Sequence, residues 1–369
     1  MTKYFKSFND ELNSSVNSYE VRDSNKKLSI INSEVNKSFY EMNGPHLKNK
    51  SNSNIISENL NNYYYFLCEL KKIKNCRFLT CYAASKQNKL ESKTIVLRHD
   101  VDGDIVTALE MAKIENKLGI QSTYYILHSA PYYGNFVKHN GKYIFFRNNN
   151  LINVILQIQN LGHEIGLHND ALGLYQGFNI DGVSALKTEI NWLRRNKIFI
   201  NGTSAHNSFL VYGASNYSIF KNKPLNLNTL NKYKGIVKGK NWAPLGILSE
   251  RDLNLEYECN DFFWQKKKKV DFISLLRQGL WLYYNDHFNC LYKKKFKKEW
   301  CTYSMVIKKI ESYKYKKLFN FLIHPMHYGF RLSKSSNPSK KFNFLHYLKG
   351  FKKECVINRE QNIIREIFW

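Results

Sequence analysis

Four separated segments of this chain read as β-strands, and each ends in an aspartate or a histidine. They are TIVLRHDVD at Thr94–Asp102, HEIGLH at His163–His168, FINGTSAH at Phe199–His206 and LFNFLIHP at Leu318–Pro325. Short apolar runs of this kind are the signature of buried strands. Helix-like stretches separate the first three. Ile105, Ala108, Leu109, Met111, Ala112, Ile114 and Leu118 form a broad stripe that stops at Gly119, a natural residue just past a helix end. Leu151, Val154, Ile155, Ile158 and Leu161 stop in the same way at Gly162, and Leu186, Ile190 and Leu193 precede the third strand. A further strand, STYYIL at 122–127, completes a β-α-β unit. The alternation predicts an α/β fold with a parallel sheet. In such a sheet every strand points the same way, so all strand ends gather on one face. Asp100, Asp102, His168, His206 and His324 would then meet. Carboxylates and imidazoles collected in one pocket are the ingredients of a metal-assisted hydrolytic site.

The residues differ in what else they could be doing. Asp100 and Asp102 lie two apart on an extended segment, so both side chains point to one side. One could hold a cation while the other takes a proton from water. The alternative is a strand-end pair capping the helix that starts near Asp104. His163 sits five residues before His168, an odd spacing that places it on the opposite face of the strand. It reads as a structural hydrogen-bonding residue. Asp170 is a reserve ligand or a loop cap. His206 has the alternative of a satisfied core histidine. His324 is followed by Pro325, which suits a chain leaving a strand, and His327 reads as a wall.

Composition bounds the rest. The 369 residues include 24 Phe and 25 Tyr and are 43% hydrophobic, enough for one sizeable globular domain with decorations, or two domains. The formal net charge is +26. Such a charge would attract nucleic acid, anionic lipid or anionic substrates. However, Lys, Asn and Ile are over-used throughout, and runs such as Lys266–Lys269 read as solvated faces. No zinc-finger spacing, RNA-binding aromatic signature or helix-turn-helix is visible, so nucleic acid is not the expected partner. Seven scattered cysteines, without CxxC pairs, fit reduced thiols. No apolar run approaches the roughly 18–20 residues of a membrane span, and the start MTKYFKSFNDELNSS lacks a signal-peptide pattern. The expectation is a cytoplasmic protein without a membrane span. Residues 1–60, rich in Ser, Asn and Lys, read as an N-terminal extension. A helix is expected over Asn61–Lys74 and a strand over Arg77–Tyr82. Residues 207–317 carry aromatic segments whose order the pattern does not give. Residues 61–332 form the main body, and 333–369 a tail with a helix around Phe342–Phe351.

Taken together, LRHDVDGD, the MAKIE helix with STYYIL after it, GHEIGLH, SAHNS and the late IHP resemble the polysaccharide deacetylases of carbohydrate esterase family 4, in a divergent branch bearing HDVD and GLH. The resemblance covers roughly residues 63–330. It implies a distorted (β/α) barrel with N- and C-terminal extensions, one divalent metal ion, with zinc the first expectation, and hydrolysis of an N-acetyl group on a sugar or glycan precursor. It implies a base and a ligand in the Asp100 and Asp102 pair, a metal ligand in His168 and a general acid in His324. The chain departs from the family in two places. Asn169, Asp170, Ala171 and Leu172 follow His168 where a second histidine is usual, and His206-Asn207-Ser208 stands in place of an arginine-proline-tyrosine segment. The simplest reconciliation makes His206 the missing ligand, with Asp102, His168 and His206 holding the ion and Asp100 as base. Two rival readings are an amidohydrolase acting on a non-sugar amide and a non-catalytic carbohydrate- or nucleic-acid-binding protein on a decayed barrel.

Overall fold

The computed structural model describes residues 16–25, 60–206, 216–221, 246–261, 270–277, 280–284 and 298–328. In chain order the elements are β1 (Glu20–Ser24), α1 (Leu60–Lys72), β2 (Cys76–Leu79), α2 (Cys81–Ser85), β3 (Lys93–Val101), α3 (Ile105–Lys117), β4 (Thr123–Leu127), β5 (Gly134–His139), β6 (Lys142–Asn148), α4 (Leu151–Asn160), β7 (Glu164–Asn169), α5 (Ala171–Phe178), α6 (Gly182–Arg195), β8 (Ile200–Ala205), β9 (Tyr257–Glu258), β10 (Val270–Arg277), β11 (Leu280–Tyr284), β12 (Lys298–Cys301), α7 (Tyr303–Ser312) and β13 (Leu318–Ile323).

The main sheet runs β12-β11-β10-β13-β3-β4-β7-β8-β9, and every neighbouring pair from β10 to β9 is parallel. β11 and β12 extend one edge antiparallel. The sheet is curled into a half-barrel, with helices on its outer side. β3 lies in the middle because its residues from Thr94 to Val101 tolerate burial on both faces. One edge of β3 is shared: β2 pairs with it over Lys93–Val96, and β4 takes over from Arg98 to Val101.

Local chemistry fixes the ends of these elements. The Asp104 carboxylate accepts from the Thr107 amide at 2.8 Å and its hydroxyl at 2.7 Å, which starts α3. Gly119, with φ +66°, ends it. Asp181 caps α6 through the amides of Val183 and Ser184. The strand expected over Arg77–Tyr82 is shorter, because the Thr80 side chain accepts from the Ala83 amide and starts α2. Several elements have no counterpart in the sequence reading, among them β1, α2, α5, the β5–β6 hairpin and the elements from β9 to α7. The hairpin turns at Asn140 and Gly141, both at positive φ, as a two-residue turn of the primed type requires.

The hairpin and β1 form a separate three-stranded sheet, in which β1 lies parallel to β6. Part of the N-terminal region is therefore packed on the body. Tyr19 donates a hydrogen bond to Glu189, and Glu189 is buried in an ion pair with Arg147 at 2.7 Å. The tail helix around Phe342–Phe351, the Lys266–Lys269 run and Phe262-Phe263-Trp264 lie outside the described residues. Among the described residues no helix is long and apolar enough to cross a membrane, and all five described cysteines are free thiols.

The concave side of the half-barrel is filled rather than open. Gly166 on β7 and Gly202 on β8 leave room for two rings. A Cβ on Gly166 would fall 2.4 Å from the Tyr125 ring, and one on Gly202 would fall 2.1 Å from the Tyr257 ring. The two hydroxyls meet at 2.8 Å. Cys81, Cys259, Val96, Val270 and Leu318 pack around them. This layer is a floor against which polar residues nearer the strand ends can rest.

Candidate metal centre

The β3 segment Arg98-His99-Asp100 places alternate side chains on opposite faces. His99 points outward to α3, where its Nε2 lies 2.7 Å from Glu115. Arg98 and Asp100 point inward. Arg98 grips both oxygens of Asp100, Nε to Oδ1 at 2.8 Å and Nη2 to Oδ2 at 2.6 Å. Burial would raise the Asp100 pKa, but the charge and hydrogen bonds of Arg98 together with His168 and His324 outweigh it and hold the carboxyl well below the usual carboxylate range. Asp102 lies one residue beyond the strand.

β7 and β8 supply the histidines. Their register sets His168 against Ser204, and His168 Nδ1 lies 2.8 Å from the Ser204 carbonyl. A carbonyl only accepts, so Nδ1 carries the proton and Nε2 is left with its lone pair. That Nε2 faces Asp100 Oδ2 and Asp102 Oδ1, each at 3.4 Å. Burial pushes the His168 pKa down despite both carboxylates, so the imidazole is neutral at ordinary pH. His206 continues β8, with its amide bonded to the Asn169 carbonyl at 2.8 Å. Its Nδ1 lies 3.2 Å from Asp170 Oδ1, a charge contact rather than a well-aligned hydrogen bond. Burial would lower the His206 pKa, but Asp170 with the Asp102 and Asp100 carboxylates outweighs it and raises it.

Ligand atoms of Asp102, His168 and His206 all lie within 4.8 Å of one another. Two features of this trio suit a cation. Asp102 Oδ1 is buried and, among the described residues, accepts no hydrogen bond. The lone pair of a neutral imidazole also faces two carboxylates with no proton between them. Acceptors converging without a donor are costly unless a positive centre sits among them. The three residues could therefore hold one metal ion, and two histidines with a carboxylate form a known set for a catalytic zinc with an open position.

Asp100 and His324 flank the trio without joining it. His324 follows β13, and its Nε2 lies 3.4 Å from Asp102 Oδ2. Its side chain is 18% exposed, against 2% for His168 and 4% for Asp100, so the approach from solvent lies on the His324 side. All five residues singled out from sequence thus stand at one end of the sheet. His163 does not: its Nε2 lies 2.9 Å from the Ala112 carbonyl and its Nδ1 accepts from the Ser122 amide at 3.2 Å, on the helical side. Asp170 is near the site but outside the ligand group. The sequence reading did not anticipate the clamp on Asp100. The signal was there, since Arg98 lies two residues away on the same face of the same strand. It also missed His128, whose Nε2 accepts from the Asp170 amide at 2.9 Å and whose pKa burial lowers to about 4, together with Ser129 and Asn216. These come from loops whose path the pattern does not reveal.

Comparison with protein-family models, with curated proteins and with solved structures finds no match.

Proposed function

We propose that this protein is a metal-dependent hydrolase of the polysaccharide deacetylase type, removing an N-acetyl group from a sugar or glycan precursor. The observation that carries the proposal is the grouping of Asp102, His168 and His206 within 4.8 Å, with a clamped carboxylate and a more exposed histidine on its flanks. Asp102, His168 and His206 are the residues that would hold the ion, with zinc favoured by two imidazoles and one carboxylate. A divalent ion there would polarise the acyl carbonyl and acidify a water molecule.

The remaining chemistry belongs to the side chains. Arg98 keeps Asp100 ionised and fixed in direction, so Asp100 is always ready to accept a proton from the attacking water. The same clamp makes it a weak base, matched to an acidified water rather than to bulk water. His324, the more exposed histidine of the group, would protonate the leaving amine. Ser204 holds His168 in one tautomer, so its lone pair needs no rearrangement when the site loads. The buried Tyr125–Tyr257 pair packs on the same side of the sheet as Asp100.

The substrate proposed is an anionic precursor rather than finished wall polymer. A nucleotide-linked or lipid-linked N-acetyl sugar is of this kind, and its phosphates suit a chain of net charge +26. The test has two parts. Elemental analysis should find close to one zinc per chain, and His168→Ala should lose it. Acetate release should favour a nucleotide-linked N-acetyl sugar over the free sugar and over insoluble polymer, and should weaken as salt rises. Equal metal content in wild type and His168→Ala would remove His168 from the site, and preference for polymer would remove the substrate.

A further inference from the structure

Asp170 stands at the start of α5, where an aspartate normally caps the helix. It does not do so: its side chain accepts no bond from that helix. Its neighbours do the capping. The Asn169 side-chain oxygen accepts from the Ala171 amide at 2.9 Å, and the Asn216 side-chain oxygen accepts from the Leu172 amide at 2.7 Å. The Asp170 carboxylate is thereby released from the helix and turned toward the site. Ser129 donates to its Oδ2, and Asn216 Nδ2 donates to Oδ1 at 3.2 Å. His206 Nδ1 approaches the same Oδ1 at 3.2 Å. The carboxylate is fully buried, and the first turn of α5 passes so close that a Cβ on Gly173 would fall 2.5 Å from Oδ1. The group is thus fixed on every side and presented to one imidazole.

Resting on the metal-centre reading above, we propose that Asp170 is the positioning residue for His206. Through the 3.2 Å charge contact it favours the tautomer with the proton on Nδ1 and restricts the ring, so that Nε2 offers its lone pair to the ion. The two histidines are then oriented by different partners. His168 uses a backbone carbonyl, available because β7 and β8 are still paired at Ser204. His206 lies past that pairing and uses a carboxylate instead. An anionic partner also makes the imidazole a stronger ligand.

The test is zinc and cobalt affinity of the full chain, measured by competition with a chromophoric chelator, for wild type, Asp170→Asn, His206→Ala, the double variant and Ser129→Ala. Asp170→Asn should weaken zinc about 10- to 100-fold, while the ligand-field bands of bound cobalt keep their wild-type shape. In the His206→Ala background the same change should add no more than about twofold, the usual scatter for uncoupled changes. Ser129→Ala removes a different bond to the same carboxylate and should leave affinity within a similar range. Wild-type affinity in Asp170→Asn would overturn the proposal. So would a changed cobalt band shape, which would make Asp170 a ligand itself. An equal loss in Ser129→Ala, or loss of the fold in Asp170→Asn, would make the residue structural and overturn it too. A wild-type chain that binds neither metal would instead bring down the metal centre as a whole.

Discussion

Replacing Glu115 with glutamine should destabilise this protein by about 3 kcal/mol. Glu115 lies on α3, fully buried, behind the strand that carries Arg98 and Asp100. It accepts hydrogen bonds from the hydroxyls of Tyr63, Ser122 and Tyr124, the last at 2.7 Å, and its Oε1 lies 2.7 Å from His99 Nε2. His163 Nδ1 stands 3.6 Å away. Burial would raise the carboxyl pKa, but His99 and the other donors outweigh it and bring it from 4.5 down to about 2. The fall from 4.5 to about 2, at about 1.4 kcal/mol for each tenfold change in the ionisation equilibrium, favours the ionised form by ~3.5 kcal/mol, the order of the expected loss. Loss of charge-assisted hydrogen bonds, at about 1.5–3 kcal/mol each, leads to the same range, because glutamine keeps some of them. The sign with pH follows. The folded-state pKa lies below the unfolded one, so the stabilisation is complete above about 4.5 and is lost as pH falls through about 2. His163, held neutral by burial, adds to the acid sensitivity below its ordinary titration range. Urea unfolding at pH 7 and at pH 3 measures both effects. Wild type should lose stability between those values, and Glu115→Gln should lose much less. A variant within about 0.5 kcal/mol of wild type at pH 7, or one with the same acid loss, would refute the reasoning.

Asp100→Asn should keep the metal and reduce turnover by about 10²–10⁴, the scale for losing a positioned proton acceptor; loss of metal by elemental analysis would make Asp100 a ligand. His324→Ala should show a similar drop in turnover with the metal retained, measured by acetate release. Gly166→Ala should cost about 1–3 kcal/mol in urea unfolding, because its Cβ would strike a Tyr125 ring held in place by Tyr257.

Much of the frame is legible in the chain because its signals are local. The run Leu318–Ile323 is expected as a strand and forms β13 with those bounds. The helix that starts near Asp104 and stops at Gly119 is written in a capping carboxylate, an apolar stripe and a residue suited to positive φ. The odd spacing between His163 and His168 predicts opposite faces, and the two side chains do take them. Asn140-Gly141 is a strong local turn signal, but the hairpin of β5 and β6 around it was not legible. Its flanking strands, GNFVKH and KYIFFRN, mix polar and aromatic residues too freely to stand out.

What the sequence determined by itself was which residues sit at strand ends, because side-chain alternation and parallel direction follow from the periodicity of each segment. Only the tertiary structure decided how those ends relate to one another. That Arg98 closes on Asp100, that Ser204 fixes the His168 tautomer and that Asn216 takes over a cap and releases Asp170 toward His206 depend on sheet register and loop paths. Register between strands far apart in sequence is set by how rings such as Tyr125 and Tyr257 fill the space left by Gly166 and Gly202. That fit is a property of the packed interior, with no counterpart in the periodicity of any one segment.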